Sequence, residues 1–312
     1  MNEFPTVLES ISDLDIDQVN FLLNTAKGFK HNPRKYPFYD VGRPVVATCF
    51  LEHSTRTKNS FVLASEILGA IYLDFDPSTS SLQKGENLEE TFLTLKNQGV
   101  DICIIRTSIP GELRPLKKNP PFKVINGGDG MHQHPTQALL DLFTMLETGF
   151  NPKGKTMAII GDCEHSRVCH SLIDLMTMVG TKIILCGPSG CIPKVSPHPM
   201  VELTTSLDYT IKNSDLLYLL RIQKERHKKF GESHYFSDYS YSHGITLDRL
   251  KSYNKNIPVY HPGPANIGIE IGEDVIKTPI DYNGLGYLGY QQVKHSLYMR
   301  MAIILAMLEK RF

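Results

Sequence analysis

Val45-Val46-Ala47-Thr48-Cys49-Phe50-Leu51 runs directly into Glu52-His53-Ser54-Thr55-Arg56-Thr57, and the reading of this stretch decides the fold. The first seven residues are continuous, apolar and rich in β-branched side chains, as a buried strand of a parallel sheet should be. From Asn59 onward, Phe61, Ala64 and Leu68 fall on one helical face, and Gly69 stands where a helix would stop. A strand-to-helix turn therefore carries a serine, two threonines and an arginine. Backbone N–H groups at a helix start have no intrahelical acceptor and point outward. Hydroxyl donors and a guanidinium fork added there make a phosphate site. The same Ser54 and Thr55 are also ordinary helix caps, and this stretch alone leaves both readings open.

Outward from the turn, strands and helices alternate. Strands are predicted at 45–51, 71–74, 100–106 and 123–126, and helices at 16–28, 56–68 and 87–97. Such alternation implies right-handed crossovers and a parallel sheet. His134-Pro135 opens a helix through Glu147, with Pro135 at a first-turn position where it is tolerated. A second block repeats the pattern. It has a strand at 156–162, a helix at 167–179, a strand at 182–186, a Pro/Gly-rich loop to about 199, and strands at 215–222 and 257–260. A broadly apolar last helix, 290–310, is expected to pack back on the first domain. The fold class is α/β: two doubly wound domains, each a parallel sheet flanked by helices, joined by interdomain helices. The expected boundaries are 1–134, completed by the C-terminal helix 290–312, and 135–289.

Composition narrows the function. The 312 residues are enough for about two domains. Lys plus Arg and Asp plus Glu number 33 each, so the formal net charge is zero, which argues against nucleic acid or an anionic membrane as main partner. No apolar run approaches the ~20 residues a bilayer needs, and residues 1–15 lack a basic-then-apolar leader pattern. The six cysteines form no C-x-x-C pair and lie mostly in apolar runs. They read as buried free thiols in a reducing cytoplasm.

Chemistry-bearing residues recur at strand ends. Arg106 closes an otherwise apolar strand, and open parallel sheets bind ligands beyond the carboxyl ends of their strands. His134 follows the turn Gly127-Gly128-Asp129-Gly130 and is placed to polarise a carbonyl or move a proton. Arg167 stands near a helix start, where its charge is locally unfavourable and a bound carboxylate would offset that. Arg221 and Gln223, two residues apart at a strand end, share a side. His261-Pro262-Gly263-Pro264 is a rigid turn whose carbonyls face a ligand amide. Lys84 precedes a helix and, taken alone, reads as a solvated loop lysine. There is no Ser-His-Asp set, metal-ligand cluster or dinucleotide fingerprint. The inventory implies group transfer from a small phosphorylated donor to a dicarboxylate, without metal or cofactor.

Ser54-Thr55-Arg56-Thr57, Lys84-Gly85-Glu86, Arg106, His134-Pro135-Thr136-Gln137, Gly161-Asp162 with Arg167, Arg221 through Arg226, and His261-Pro262-Gly263-Pro264 stand in an order that resembles aspartate carbamoyltransferase catalytic chains across nearly the whole length. The resemblance implies a carbamoyl-phosphate domain followed by an aspartate domain, in a homotrimer with active sites shared between subunits. It implies that Ser54, Thr55, Arg56 and Thr57 hold the phosphate with Arg106, while Ser80 and Lys84 reach in from a neighbouring subunit. Thr57, Arg106 and His134 would bind the carbonyl oxygen. Gln137 and the backbone of Pro262 and Gly263 would take the carbamoyl amide. Arg167, Arg221 and Gln223, with Lys84, would hold aspartate, and Glu52 would orient an arginine. The implied product is N-carbamoyl-aspartate, for pyrimidine synthesis.

Three positions depart from the pattern: His53, Lys58 in place of a common arginine, and Ile267 where arginine is frequent. Ornithine carbamoyltransferase is the nearest alternative. That family typically has cysteine where Thr136 sits and a His-Cys-Leu-Pro turn, and its cationic substrate suits neither Arg221 nor Arg226. A non-catalytic paralogue acting as a structural partner is the other alternative. Such chains usually lose phosphate or arginine ligands, which are all kept here. Regulatory chains or a dihydroorotase partner leave no readable mark.

Overall fold

The structure, a computed structural model, describes residues 2–33, 42–222, 232–253, 257–278 and 286–308. The chain divides into two units, residues 1–143 with 293–312, and residues 144–292.

The first unit is built on a five-stranded parallel sheet. Its strands are β1 (Val7–Leu8), β2 (Val45–Phe50), β3 (Ile71–Phe75), β4 (Ile102–Thr107) and β5 (Lys123–Asp129), in the order β1-β5-β4-β2-β3. Helices α1 (Ile16–His31), α2 (Thr55–Leu68) and α3 (Leu88–Asn97) connect them, and α4 (Pro135–Glu147) follows. β4 is buried along its length, because a central strand is covered on both faces and its residues must be apolar on both. Ala47, Cys49, Cys103, Ile105 and Val124 point to one face and pack with Phe92 and Leu95 of α3. Removing a side chain such as Ile105 would cost about 2–5 kcal/mol through lost transfer energy and a cavity. Gly69 ends α2 in the left-handed conformation, φ 80°, as its place in the sequence predicts.

The second unit repeats the architecture with six parallel strands. They are β6 (Thr156–Ile160), β7 (Lys182–Cys186), β8 (Val201–Thr204), β9 (Leu216–Leu219), β10 (Pro258–Tyr260) and β11 (Gly286–Tyr287), in the order β11-β10-β9-β6-β7-β8. Helices α5 (Arg167–Met178), α6 (Leu207–Asn213), α7 (Glu232–His243), α8 (Leu247–Ser252) and α9 (Glu273–Lys277) complete it, and α10 (Gly289–Leu308) closes the described chain. Ala158, Ile160, Leu217, Leu219 and Val259 pack one sheet face against Leu207, Ile211 and Leu250. Both α4 and α10 carry a unit boundary within their length.

The differences from the sequence reading lie at short elements. β1, β8, β11 and α6 through α9 were not anticipated, and the strand expected over 215–222 pairs only over Leu216–Leu219. Apart from the twelve-residue α7, these elements run two to seven residues, too few to show a period. Among the described residues no helix is long and apolar enough to cross a membrane. All six cysteines are buried, and none is in a disulfide. Burial pushes the Cys49 thiol up to about 12 and Cys186 to about 11, so neither serves as a thiolate nucleophile.

Candidate active site

In the first unit the chain leaves β2 toward β3 on one side and returns with β4 on the other. The order reverses at the carboxyl ends of β2 and β4, the place where open α/β sheets form a ligand-binding crevice. Ser54 is the N-cap of α2, with φ −160° and ψ 103°, and its hydroxyl makes no capping hydrogen bond. Thr55 and Arg56 are exposed, and Thr57 is buried. The capping reading of this serine therefore fails, and the amides that a cap would satisfy still face outward.

Arg106 stands opposite Phe50 in the β2–β4 register and is 8% exposed. Its fork donates to Glu52 Oε1 at 2.9 Å and to the Gly127 carbonyl at 3.0 Å. Glu52 is thus the carboxylate that orients an arginine, and that arginine is Arg106. Lys58, the departure from the arginine pattern, pairs with Asp74 at 2.8 Å.

β5 delivers His134. Beyond its end the chain turns tightly about the buried Asp129, whose carboxylate accepts from the amides of Gln133 and Gly111, each at 2.8 Å, and from Asn126 Nδ2 at 2.9 Å. His134 is 4% exposed just before α4, with Nδ1 3.5 Å from Thr136 Oγ1. Gln137 lies in the first turn of α4, and its Nε2 donates to the buried Asp141 at 2.9 Å. That bond fixes the amide flip and leaves Oε1 as the acceptor for a ligand N–H. Asp129 also meets His132 and Glu9, three groups with the donor types of a metal site. Glu9 is already answered by Arg114 at 3.1 Å and Lys117 at 2.7 Å, so this is an ion-pair cluster supporting the turn.

Ser80 and Lys84 are not joined to this crevice by any hydrogen bond. Ser80 donates to the Pro77 carbonyl at 2.9 Å and accepts from Leu82 N at 3.3 Å. Lys84 is exposed, and no hydrogen bond or ion pair links it to another described residue.

The second unit has its own reversal, between β6 and β9. Gly161 leaves β6 with φ 136°, and a Cβ there would lie 2.9 Å from Leu220 Cβ, so the two strand ends approach only because this residue is glycine. Asp162 is buried and accepts from His165 Nδ1 at 2.8 Å. Arg167 opens α5, whose N-cap Ser166 accepts from Cys169 N at 3.2 Å. Arg221 lies two residues beyond β9. Gln223 lies outside the described residues. On the next strand, His261 Nδ1 accepts from Gly263 N at 2.8 Å, while Nε2 meets the buried Glu270 at 3.2 Å. This holds the turn after β10. The carbonyls of Pro262 and Gly263 accept no hydrogen bond from a described residue. Asn266 Nδ2 donates to the Ile222 carbonyl at 2.9 Å, tying that turn to the end of β9.

The sequence reading missed Asp141, Glu270 and Arg300. Each is a lone charge within an apolar stretch, and that isolation was the available signal.

The two domain descriptions that match this chain cover most of it. A family model for the aspartate/ornithine carbamoyltransferase carbamoyl-P binding domain matches residues 7–147, and one for the Asp/Orn binding domain of the same family matches residues 153–307. The aspartate carbamoyltransferase catalytic subunit of Moorella thermoacetica is 38% identical over 301 residues, 95% of each chain. That of Acetivibrio thermocellus is 37% identical over 95% of this chain and 94% of its own. Among solved structures, aspartate transcarbamoylase from Trypanosoma cruzi in complex with carbamoyl phosphate has a TM-score of 0.84 at 25% identity, covering 97% of this chain and 96% of that one. The catalytic subunit of M. jannaschii aspartate transcarbamoylase has a TM-score of 0.81 at 28% identity, covering 98% of both.

Proposed function

The chain belongs to the aspartate/ornithine carbamoyltransferase family, and from that premise we propose that it transfers the carbamoyl group of carbamoyl phosphate to the α-amine of L-aspartate. The products are N-carbamoyl-L-aspartate and phosphate, an early step in pyrimidine synthesis. The observation that carries the reading is the start of α2, where Ser54 leaves its hydroxyl out of capping beside an Arg106 held by Glu52.

The first unit supplies most of the donor's ligands. Ser54, Thr55, Arg56 and Thr57 hold the phosphate, and Gln137 Oε1 accepts from the carbamoyl amide with the carbonyls of Pro262 and Gly263. The second unit supplies the acceptor's ligands: Arg167, Arg221 and Gln223 for the two carboxylates. The amine lone pair attacks the carbamoyl carbon, and the carbonyl oxygen gains negative charge. Arg106, His134 and Thr57 donate to that oxygen. Each such preorganised donor is worth about 3 kcal/mol in the transition state, and holding both reactants together supplies much of the rest. The carbon–oxygen bond to phosphate breaks, and the amine proton leaves with the phosphate dianion.

The assembly belongs to the same proposal: a cytoplasmic homotrimer in which Ser80 and Lys84 serve a neighbour's site. An exposed Lys84 with no hydrogen bond or ion pair to another described residue supports this. Purified protein should consume carbamoyl phosphate with aspartate, and turnover of ornithine in preference would sink the reading. Arg56→Ala and Lys84→Ala proteins should each be nearly inactive, and subunit exchange between them should restore part of the activity. No recovery in demonstrated hybrids would mean that each site is built within one chain.

A further inference from the structure

Arg300 heads the fully buried side chains by volume and is 1% exposed, between the buried Met299 and Met301 of α10. A buried guanidinium is costly unless charge and hydrogen bonds answer it. Among the described residues no carboxylate forms an ion pair with Arg300. Instead it donates to the Arg56 carbonyl at 3.3 Å and to Ser60 Oγ, and lies over the Phe61 ring at 5.0 Å. All three partners are on the first two turns of α2. Ser60 Oγ in turn reaches the Arg56 and Thr57 carbonyls, at 2.7 and 3.0 Å. Burial and the nearby charge of Arg106 push the Arg300 pKa down to about 9, with Asp141 acting the other way. The group stays cationic near neutral pH, with its charge under-compensated by the chain itself. A Met or Leu would fill the same apolar stripe without that cost, so packing alone does not account for an arginine here.

We propose that Arg300 is a positioning residue for the donor's phosphate: it fixes the first turn of α2 through Arg56 and Ser60, and with Arg106 makes a positive field that a phosphate dianion answers. The inference rests on reading the α2 turn as the carbamoyl-phosphate site. It differs from a scaffolding role in that the charge matters as well as the contacts.

The test uses the full-length protein. Inorganic phosphate binding is measured by calorimetry, and steady-state kinetics follow, for wild type, Arg300→Met and Arg300→Lys. Arg300→Met should bind phosphate at least tenfold more weakly and raise the carbamoyl-phosphate KM by a similar factor. Its aspartate KM should stay within about twofold and its kcat should fall less than the KM rises. Arg300→Lys keeps the charge and should recover most of the phosphate affinity. Phosphate binding by Arg300→Met within twofold of wild type, or a lysine variant no better than methionine, would overturn the proposal. If Arg300→Met does not fold, Ser60→Ala and Arg300→Lys decide: each should weaken phosphate binding about threefold, and wild-type affinity in both overturns it. Wild-type protein that binds phosphate yet carbamoylates no aspartate counts against the proposed reaction, while the binding comparison still decides the role of Arg300.

Discussion

At the start of α5, Ser166 accepts a hydrogen bond from Cys169 N at 3.2 Å; at the start of α2, Ser54 occupies the same N-cap position and makes none. Asp15, Asn87, Ser206 and Thr246 behave like Ser166, each capping its own helix. Capping and anion binding draw on the same amides. A helix start that caps itself has used them, and what it offers a ligand is the side chain of its arginine, Arg167. A helix start that does not cap itself offers amides, hydroxyls and guanidinium together. The first arrangement suits a carboxylate held by a fork, and the second suits a phosphate with three oxygens to satisfy.

The largest effect that would break this division is at Arg106. Arg106→Ala should lower kcat by about a hundred- to a thousandfold, the loss of one oxyanion donor. Arg221→Ala should mainly raise the aspartate KM, since it removes an interaction already present before the reaction. Kinetics on both variants, with folding checked, would break the division if Arg221→Ala lowered only kcat and Arg106→Ala raised only the aspartate KM. The next effect is smaller and sharper. Ser54→Ala should weaken carbamoyl phosphate about tenfold, as expected for a hydrogen bond to a charged group, with thermal stability nearly unchanged. Ser166→Ala should do the reverse: a loss of about 1 kcal/mol in stability, as for other N-cap serines, with carbamoyl-phosphate KM near wild type. Equal losses of stability in the two variants would mean that Ser54 caps after all.

The parts of this arrangement that could be read from sequence are those set by local chemistry. β2 is legible because a run of six apolar residues broken only by Thr48 admits few alternatives, and α2 because its stripe runs from Phe61 to Leu68 into Gly69. Arg106 stands out as a charge ending an apolar strand. What stayed hidden depends on register and burial. Whether Ser54 caps α2 is a matter of where one hydroxyl points. That Glu52 orients Arg106 follows from the strand order that puts β2 beside β4. Asp141 and Arg300 look like breaks in apolar helices until Gln137 and α2 are found against them. β8 and α6 follow a Pro/Gly-rich loop, and four and seven residues are too few to show a period.

The first unit takes its last helix from the far end of the chain, and roughly 150 residues of the second unit lie between. On a ribosome adding about 5–20 residues per second, that is a delay of about 8–30 s. Through it α2 is already outside the exit tunnel while Arg300 has not been translated. The second unit, continuous in sequence, is complete before the first. The first turns of α2 therefore lack their Arg300 contacts until the whole second unit has been made.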